Sequence, residues 1–414
     1  MPHWLPAAWP YSPTDQVNAG ATAKVPAKSV LSYTRKVDIA AKWFLGPLPW
    51  LATSAVLFCA AYWLLALYAS LKRLGEPWPV STYRPPISIL KPIRGRDQHF
   101  YEALLSHAEQ NYPEFEIIFG IRDPNDPAWI DVRRLIATFP RLAIRTVTEA
   151  PETPNGKVGM LISLVKAARY PTLLVNDSDI FVEQGYLETV AAPLANPDVG
   201  LVTCLYRARG GSFPARIEAL GIAADFVPSL LVARTVGVVQ FALGSTLLFR
   251  KEQLAAIGGF EAIADYLADD YQLGARIAAT GKRIAIAACP VETSLGAGTW
   301  RDVWKHQVRW SRTIRVSQGA GYVGSGITHA ALWIALLFAA VPWRQALPFA
   351  AVCYAARIAA AFAAARTVNS AVAWWWLPLR DVFGTAVWAA GLFGGHVEWR
   401  GQRLKLRSDG RIVL

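Results

Sequence analysis

The chain has 414 residues and a formal net charge of +12, from 42 lysines and arginines against 30 aspartates and glutamates. Apolar residues make up 53% and charged residues only 17%, where about 25% charged is usual in soluble domains. This balance excludes a disordered chain, which would be rich in charge and poor in aromatics, and it argues against a wholly soluble protein. A nucleic-acid binder is a poor fit, because the positive charge accompanies apolar runs instead of forming a basic face.

The first part of the chain separates into a leader and an apolar run. Residues 1–47 carry scattered prolines and little periodicity, which predicts a flexible leader. Residues 48–71 contain no charge, and as a helix they would extend about 36 Å, enough for a bilayer core of about 30 Å. This run predicts a transmembrane helix, with a buried core helix as the alternative. The pair Lys72-Arg73 directly after it predicts that the following segment faces the cytosol.

Residues 82–300 change character and predict an α/β domain. Short runs rich in β-branched residues alternate with helical patterns or loops, and the strand candidates are 87–93, 115–121, 142–147, 172–177 and 199–204. Alternation of this kind predicts a mostly parallel, Rossmann-like sheet with crossover helices. Ligands of such sheets bind at the carboxyl ends of the strands, so polar residues just after strands are the candidates for chemistry.

Apolar segments return after this domain. We expect an amphipathic interfacial helix over residues 301–324 and transmembrane or re-entrant segments over residues 327–394. Charges inside apolar runs are costly in lipid, so they should face protein or water; they are Arg357, Arg380 and Asp381. Pro378 favours a re-entrant last segment, which keeps the basic tail, residues 395–414, on the cytosolic side.

Two acidic clusters directly follow predicted strands. Asp123 and Asp126 lie in the segment IRDPNDP and can accept hydrogen bonds from a base or ribose, although aspartate and proline also form ordinary turns. Asp177 and Asp179 form a DxD sequence after the fourth strand. Two carboxylates at this spacing can converge on a Mg or Mn ion, which takes oxygen ligands and bridges to substrate phosphates. The alternative for this pair is a loop with solvated carboxylates.

An adjacent acidic pair, Asp269-Asp270, lies between apolar neighbours further along the chain. Adjacent carboxylates repel each other, which raises the pKa of one of them. A raised pKa suits a general base that takes a proton from an alcohol. The start of a helix, where the dipole favours aspartate, is a compatible alternative.

The segment 300–316 combines basic and aromatic residues. At helical spacing its basic residues share one face, namely Arg301, Lys305, Arg309 and Arg312. One interpretation is a membrane-surface helix with this face toward lipid headgroups. The other is that Arg309 and Trp310 close over a diphosphate. Upstream, residues 213–235 have near-helical apolar spacing broken near Pro228, which suggests either an interfacial helix beside the path of a lipid or a core helix.

The order of these clusters, between apolar segments, resembles that of a membrane-bound glycosyltransferase of the GT-A type. The chain is similar to the ceramide glucosyltransferase family and, within it, most to the bacterial hopanoid-biosynthesis branch. The segments that carry the resemblance are SILKPIRG, FGIRDPNDPA, NDSDI, GLVTCLYRARG, DFVPSLLVART and LADDYQLG. The resemblance implies a GT-A-like sheet domain inserted between an N-terminal transmembrane helix and C-terminal membrane helices. It also implies a UDP-sugar donor, a membrane lipid acceptor and a divalent cation, Mg or Mn.

The resemblance further implies a role for each cluster. The implied roles are substrate binding by Asp123, Asp126, Lys157, Asp177 and His306, cation binding by Asp179 and Asp177, and catalysis by Asp270, Asp269, Arg309 and Trp310. Asp270 would be the general base of an inverting displacement. Two positions depart from the family pattern: His306 stands where the family has glutamine or arginine, and Met160 stands where it has asparagine.

We therefore expect an inverting hexosyltransferase of the bacterial cytoplasmic membrane, with its catalytic domain facing the cytosol. The expected reaction moves N-acetylglucosamine from UDP-N-acetylglucosamine to a hopanoid polyol such as bacteriohopanetetrol, and the alternative is glucosylation of ceramide from UDP-glucose. A nucleotide-binding membrane transporter or scaffold is a further alternative from another class. The Asp269-Asp270 pair argues against it, because a binding module has no use for a general base beside a DxD sequence. No nucleic-acid partner is expected, and the sequence leaves the oligomeric state open.

Overall fold

A computed structural model describes the protein over residues 46–78, 81–399 and 402–413. The leader predicted over residues 1–47 lies, apart from its last two positions, outside the described residues. Residues Trp50–Leu414 form a compact unit that holds the sheet, the candidate site and most of the apolar helical structure.

Strands and helices alternate from β1 to β4, and the later elements of the described residues also come in runs of strands or of helices. The strands are β1 Ile87–Ile93, β2 Phe115–Ile121, β3 Ala143–Val147, β4 Thr172–Val175, β5 Ile180–Phe181, β6 Val199–Thr203, β7 Tyr206–Arg209, β8 Leu247–Arg250, β9 Arg283–Ile286, β10 Val291–Ser294, β11 His396–Trp399, β12 Gln402–Leu406 and β13 Ile412–Val413. The helices are α1 Pro47–Leu74, α2 Phe100–Ala108, α3 Ala128–Thr138, α4 Gly156–Ala167, α5 Tyr186–Ala191, α6 Phe213–Gly221, α7 Val227–Thr235, α8 Lys251–Ala256, α9 Asp269–Ala279, α10 Trp300–Gly324, α11 Ala330–Ala340, α12 Trp343–Thr367 and α13 Leu377–Gly391.

The central sheet has the strand order β3-β2-β1-β4-β8-β6-β9. Strands β3, β2, β1 and β4 pair in parallel, as do β6 and β9, and β8 is inserted antiparallel between β4 and β6. The inner strands β2, β1, β4, β8 and β6 are mostly apolar and buried, whereas the edge strands β3 and β9 are partly exposed. Ile89 of β1, for example, pairs with Ile117 of β2 and with Leu174 of β4. This architecture confirms the predicted α/β class with a mostly parallel sheet.

Helices cover both faces of this sheet. Successive strand residues alternate between two buried clusters, with Ile89 in one and Leu90 in the other. Leu104 of α2 joins the first cluster, whereas Leu161 of α4 and Ile277 of α9 join the second. Because helices cover its faces, the sheet is accessible mainly at its edges and strand ends. Strands β2, β1 and β4 are parallel neighbours, so the loops that follow them lie beside each other.

Several apolar helices flank the sheet domain. Among the described residues, α1 and α12 are long and apolar enough to cross a membrane, and α10 with α11 meets the same criterion although the two are bent by 55° at their break. Helix α13 has 15 residues, about 22 Å, which is shorter than a bilayer core of about 30 Å. It lies along α10, where the Tyr322 hydroxyl donates to the Trp388 carbonyl at 2.7 Å. The re-entrant path of this last segment and the domain boundaries given above stay predictions.

The charges inside the C-terminal apolar segments face protein. Arg357 is fully buried, pairs with Asp381 at 2.8 Å and also contacts the carboxylate of Asp225. Arg380 donates from Nε to the other oxygen of Asp225 at 2.7 Å. Arg357 lies 4.2 Å from the ring centroid of Trp63 in α1. We call these four charged residues the ion cluster; it ties α12 and α13 to the π-helical turn Ile222–Phe226 between α6 and α7.

The C-terminal tail forms a small sheet of β11, β12 and β13 that packs on the sheet domain. Its apolar side chains pack against Leu267, and they are Val397, Leu404, Leu406 and Ile412. The Ile412 N–H donates to the carbonyl of Asp265 at 2.7 Å. The tail therefore lies on the sheet domain and supports the segment just before Asp269.

Candidate active site

A cavity of about 2150 Å³ lies at the carboxyl ends of β1, β2 and β4. Parallel strands present their following loops at one edge of a sheet, which is where ligands bind. Every residue to which the resemblance gives a role lines this cavity: Asp123, Asp126, Lys157, Asp177, Asp179, Asp269, Asp270, His306, Arg309 and Trp310. The structure thus brings distant clusters together, and the individual roles stay predictions.

The two carboxylates of the DxD sequence have different partners. Asp177 is partly exposed to the cavity, and its Oδ1 lies 2.8 Å from Nζ of Lys157. Asp179 accepts a hydrogen bond from the Thr293 hydroxyl of β10. Burial, the Asp177 charge and then the Asp97 charge raise the pKa of Asp179. Negative charge is therefore concentrated at this end of β4, where a cation would be stabilised.

The acidic pair opens α9. Asp270 accepts two backbone hydrogen bonds, from the Gly244 N–H to Oδ2 at 2.8 Å and from the Tyr271 N–H to Oδ1 at 2.7 Å. Burial and the neighbouring Asp269 raise the pKa of Asp270 to about 6. This pKa suits a general base at neutral pH, while the helix N-terminus stabilises the same carboxylates. Both interpretations drawn from the sequence are compatible with this geometry.

Lys157 connects the two acidic clusters. Its ammonium lies 2.8 Å from Asp177 Oδ1 and 3.0 Å from Asp269 Oδ2. Burial alone would lower the pKa of Lys157, but the charges of Asp177 and Asp269 outweigh it and raise that pKa. Asn155 fixes the start of α4, because its side-chain oxygen accepts the Lys157 N–H at 3.1 Å and its amide donates to the Tyr266 carbonyl at 2.7 Å. Lys157 is therefore a charged group held between the two clusters.

Met160 occupies the position where the resemblance led us to expect asparagine. Its side chain is buried in the core between α4 and the sheet, and a methyl group on Gly120 would collide with it. Met160 also lines the cavity, so position 160 contributes an apolar side chain both to the core and to the cavity wall. Lys157, three residues earlier, contributes a charged side chain to the same wall.

The predicted uridine side has two unlike aspartates. Asp126 is buried, and its carboxylate accepts the Gly95 N–H at 2.7 Å and the Ala128 N–H at 2.9 Å. Asp123 is exposed, and its Oδ1 accepts the Asn125 N–H at 2.8 Å, which closes the turn. Asp126 thus joins the loop after β1 to the start of α3, whereas Asp123 presents its carboxylate to the cavity.

Helix α10 supplies another wall of the cavity. The helix starts with a capping box, in which the Thr299 N–H donates to Asp302 Oδ2 at 3.0 Å and the Asp302 N–H donates to Thr299 Oγ1 at 3.4 Å. His306, Arg309 and Trp310 line the cavity from this helix, and the ring centroids of His306 and Trp310 are 4.6 Å apart. The helix therefore presents an aromatic surface and two nitrogen-bearing groups to the same space.

The basic face of α10 holds the C-terminal tail. Lys305 pairs with Glu398 of β11 at 2.6 Å, and Arg312 donates to the carbonyl oxygens of Phe393 at 3.1 Å and His396 at 2.7 Å. The sequence interpretation of this face toward lipid headgroups does not account for these two residues. The carbonyl oxygens just past the end of α13 attract the Arg312 guanidinium, and the Glu398 carboxylate attracts the Lys305 ammonium.

Three further residues of the site were not singled out by the sequence. Lys91 of β1 is fully buried and donates to the Asp177 carbonyl at 3.3 Å, and burial lowers its pKa to about 7 against the pull of the DxD carboxylates. A methyl group on Gly244 would lie 3.0 Å from Asp177 Oδ2 and 3.3 Å from Asp270 Oδ2. Glu218 of α6 is buried in the cavity wall. A lysine inside the apolar strand ISILKPI was a visible signal, but the other two residues have no pattern that marks them.

Comparison with known proteins gives the family. The chain matches Glycosyl transferase family 21 over residues 51–412. It belongs to this family. The family 21 chain is 29% identical over 266 residues to Ceramide glucosyltransferase 1 of Caenorhabditis elegans, a match that covers 63% of this chain and 57% of the relative. It is 27% identical over 230 residues to Ceramide glucosyltransferase 3 of the same organism, which covers 55% of this chain and 50% of the relative.

These matches confirm the predicted resemblance to the ceramide glucosyltransferase family. The chain spans about half the length of the curated relatives it matches. Among solved structures, the family 21 protein is similar to a mannosyltransferase from Pyrobaculum calidifontis in complex with GDP-Man and Mn2+, with a TM-score of 0.50 and 21% identity over 83% of this chain and 97% of that chain. This likeness concerns the fold, and it confirms the predicted GT-A-like domain.

The predicted cation ligands of this family 21 protein are Asp177 and Asp179. Within the described residues, no three or more His, Cys, Asp or Glu side chains converge on one point. Two carboxylates suffice for Mg²⁺ or Mn²⁺ when substrate phosphates and water fill the other positions. Burial and then the Asp177 charge raise the pKa of Asp179, and a bound cation would favour the ionised form of this carboxylate. The residues present therefore fit a cation held jointly by the protein and by donor phosphates.

Proposed function

We propose that this family 21 glycosyltransferase moves a sugar from a UDP-sugar to a hydroxyl group of a membrane lipid, with inversion at the anomeric carbon. The observation that supports the proposal most is the cavity itself. It joins the DxD carboxylates to the acidic pair and continues along residues of α7 and α10. A site for a nucleotide-sugar and a path for a lipid in one cavity are what such a reaction needs.

Asp270 acts as the general base of this reaction. Its carboxylate takes the proton of the acceptor hydroxyl while the hydroxyl oxygen bonds to the anomeric carbon and the bond from that carbon to the diphosphate breaks. The electron pair of the broken bond leaves with the nucleoside diphosphate, so no covalent sugar–enzyme intermediate forms. A pKa of about 6 leaves Asp270 mostly deprotonated at neutral pH, yet more basic than an ordinary aspartate. Asp269 assists by raising that pKa and by holding Lys157.

Positive groups receive the departing diphosphate. When bound at Asp177 and Asp179, a divalent cation supplies Lewis-acid stabilisation of the charge that builds on the leaving group. Lys157 lies beside both clusters, and together with Arg309 it neutralises phosphate oxygens in a site of low dielectric. Trp310 lines the same space and provides an apolar surface that limits access of water.

Part of the cavity wall suits the acceptor. We call it the apolar arm; its apolar residues come from α7 and the second half of α10, namely Leu230, Ala233, Ile314, Gly321 and Tyr322, and they alternate with the polar residues Ser229, Thr313, Ser317 and Gln318. Helix α7 packs in the same apolar cluster as α1 and α12. A cavity of about 2150 Å³ exceeds the roughly 300–1000 Å³ of common ligand sites, so a donor leaves room for a second substrate. The arm takes the hydrocarbon body of the lipid, and the hydroxyl end reaches Asp270.

Two substrate pairs are candidates. The names of the curated relatives favour ceramide as the acceptor and glucose as the sugar, and this pair is the first candidate. The second is UDP-N-acetylglucosamine with a hopanoid polyol, favoured by the segments that resemble the hopanoid-biosynthesis branch, among them GLVTCLYRARG and DFVPSLLVART. Both acceptors join a hydroxylated end to an apolar body, the combination that Asp270 and the apolar arm accommodate.

The proposal includes a membrane location. Helices α1 and α12 are long and apolar enough to cross a bilayer, and the basic pair after α1 favours the cytosolic face for the sheet domain. Arg73 of that pair docks on the domain itself, because it pairs with Glu76 at 2.9 Å and donates to the Ile286 carbonyl at 3.4 Å. In a bacterium, the sheet domain would then lie on the cytosolic side of the cytoplasmic membrane.

Transfer by the purified full-length protein tests the proposal. The protein is reconstituted in lipid nanodiscs with UDP-glucose or UDP-N-acetylglucosamine, each with ceramide or a hopanoid polyol, and the product is identified by mass spectrometry. We expect glycolipid from at least one pair and none from Asp270→Asn, whose UDP affinity should stay within about twofold of wild type. Transfer by Asp270→Asn near the wild-type rate would overturn the base assignment. UDP binding without transfer by the wild type would favour the transporter or scaffold alternative.

A further inference from the structure

Glu218 of α6 places a buried carboxylate in the wall of the cavity. The residue is 2% exposed, and its Oε1 lies 2.6 Å from Nδ1 of His306 and 2.9 Å from Nε2 of Gln307. Burying a carboxylate is costly unless donors satisfy it. The two side chains of α10 supply those donors, so Glu218 and this part of α10 are fixed relative to each other.

This contact decides which nitrogen of His306 carries a proton. An ionised carboxylate only accepts hydrogen bonds, so Nδ1 must be the donor to Glu218. The His306 side chain is 31% exposed and lines the cavity, which leaves Nε2 to meet a ligand. The ring of Trp310, with its centroid 4.6 Å away, limits how far the imidazole can rotate.

The ion cluster anchors Glu218 from the other side. Gln307, which donates to Glu218, accepts from Nη2 of Arg380 at 3.3 Å, and Arg380 donates to Asp225 at 2.7 Å. The guanidinium groups of Arg357 and Arg380 contact the carboxylates of Asp225 and Asp381, whereas Glu218 reaches this cluster through the amide of Gln307. The Glu218 carboxylate therefore makes position 306 favourable for a hydrogen-bond donor.

We propose that Glu218 is a positioning residue that holds His306 as a donor to the diphosphate of the nucleotide-sugar. With Nδ1–H committed to Glu218, Nε2 takes up one proton from solvent as the diphosphate binds, and the imidazolium donates this Nε2–H to a phosphate oxygen beside Arg309. Apart from this proton uptake no covalent bond changes, and the histidine keeps both protons while the diphosphate is bound. The inference rests on the proposed function, because the diphosphate belongs to the donor. The ion cluster holds Gln307 beside Glu218, so the helices α12 and α13 contribute indirectly to binding of the nucleotide-sugar.

Binding of UDP and of uridine separates this role from a merely structural one. Full-length Glu218→Gln, His306→Ala and the double variant are titrated by calorimetry with UDP and with uridine, which lacks the diphosphate. We expect each single change to weaken UDP binding about tenfold, the loss of one charge-assisted hydrogen bond, and to leave uridine binding within about twofold. The double variant should lose no more UDP affinity than a single variant, because one residue acts through the other.

Glu116→Gln is the matched control. Glu116 is fully buried in the sheet, accepts from the Ser88 hydroxyl at 2.6 Å, pairs with Arg145, and is not part of the cavity wall. Its loss should leave the ratio of UDP to uridine affinity unchanged, whatever it does to the melting temperature.

Several outcomes would overturn the inference. They are an unchanged UDP affinity in His306→Ala, equal losses for UDP and uridine in Glu218→Gln, and a double variant whose loss is the product of the single losses. If Glu218→Gln does not fold, the UDP and uridine affinities of His306→Ala test the inference. The His306 side chain is partly exposed, so its removal should leave the fold intact. A wild-type protein that glycosylates no lipid while the affinity pattern holds would count against the proposed function alone.

Discussion

The backbone N–H of Gly244 donates a hydrogen bond of 2.8 Å to the Oδ2 atom of Asp270. The same glycine adjoins Asp177, so the DxD loop and the acidic pair meet across one residue without a side chain. Gly244 therefore lies between the proposed base, Asp270, and a proposed cation ligand, Asp177. A side chain at position 244 should change the distance between these two carboxylates.

Gly244→Ala should lower kcat about tenfold or more, because small displacements of reacting groups are costly. The added methyl would lie 3.0 Å from one carboxylate oxygen and 3.3 Å from the other, so both side chains must shift. Initial rates of lipid glycosylation, normalised to folded protein, measure the effect. Gly324→Ala is the control and should keep the wild-type rate, since a methyl there meets no atom within 4 Å. A wild-type rate in Gly244→Ala would contradict the placement of the two carboxylates at the reacting centre.

The rate should have an acid limb set by Asp270. Its pKa is raised from 3.8 to about 6, so below pH 6 the carboxylate is protonated and cannot accept a proton. We expect kcat/KM to fall about tenfold per pH unit below that point. Lys157→Met removes a positive charge that lowers the pKa of Asp270, so the limb should move to higher pH.

The control for this profile is Lys282→Met. The Lys282 ammonium donates to the Pro197 carbonyl and is not part of the cavity wall, so its loss should leave the limb in place. A limb near pH 4 in the wild type, or a shift to lower pH in Lys157→Met, would show that Asp270 is not the titrating base.

Lipid transfer should require a divalent cation. Chelation with EDTA should abolish it, and added Mn²⁺ or Mg²⁺ should restore it, because the DxD carboxylates and the donor phosphates repel each other without a cation. Asp179→Asn should raise the cation concentration at half-maximal rate about tenfold or more. Asp198→Asn, at an exposed turn, is the control and should leave it unchanged. Full activity in EDTA would refute the cation assignment.

Ala233→Trp should obstruct the apolar arm. Displacing about two methylene groups of the acceptor costs about 1.6 kcal/mol, so KM for a long-chain lipid should rise about tenfold. A water-soluble short-chain acceptor and UDP should bind as in the wild type. Ala137→Trp, on the exposed side of α3, is the control. Equal effects on long-chain and short-chain acceptors would place the lipid elsewhere.

Much of the sheet and the candidate site could be predicted from the sequence for a physical reason. Strands buried on both faces give continuous apolar runs, so β1 and β2 were predicted with the bounds that the structure has. Acidic residues directly after such runs then point to the ligand-binding edge. Strand β8 was missed because LLFR is short and its antiparallel pairing involves distant strands. Gly244 and Glu218 were missed because their importance depends on what they touch, which no local pattern records.

The small sheet of β11, β12 and β13 supports the candidate active site from a part of the sequence more than a hundred residues away. Strands β12 and β13 pack on Leu267, two residues before the acidic pair, and Arg411 donates from Nε to the Tyr266 hydroxyl at 3.2 Å. The ribosome makes these strands after α12 and α13, so the apolar helices are already synthesised when this sheet can form. We therefore expect the segment just before the acidic pair to become fixed late in folding, after the helices that precede the sheet have been made.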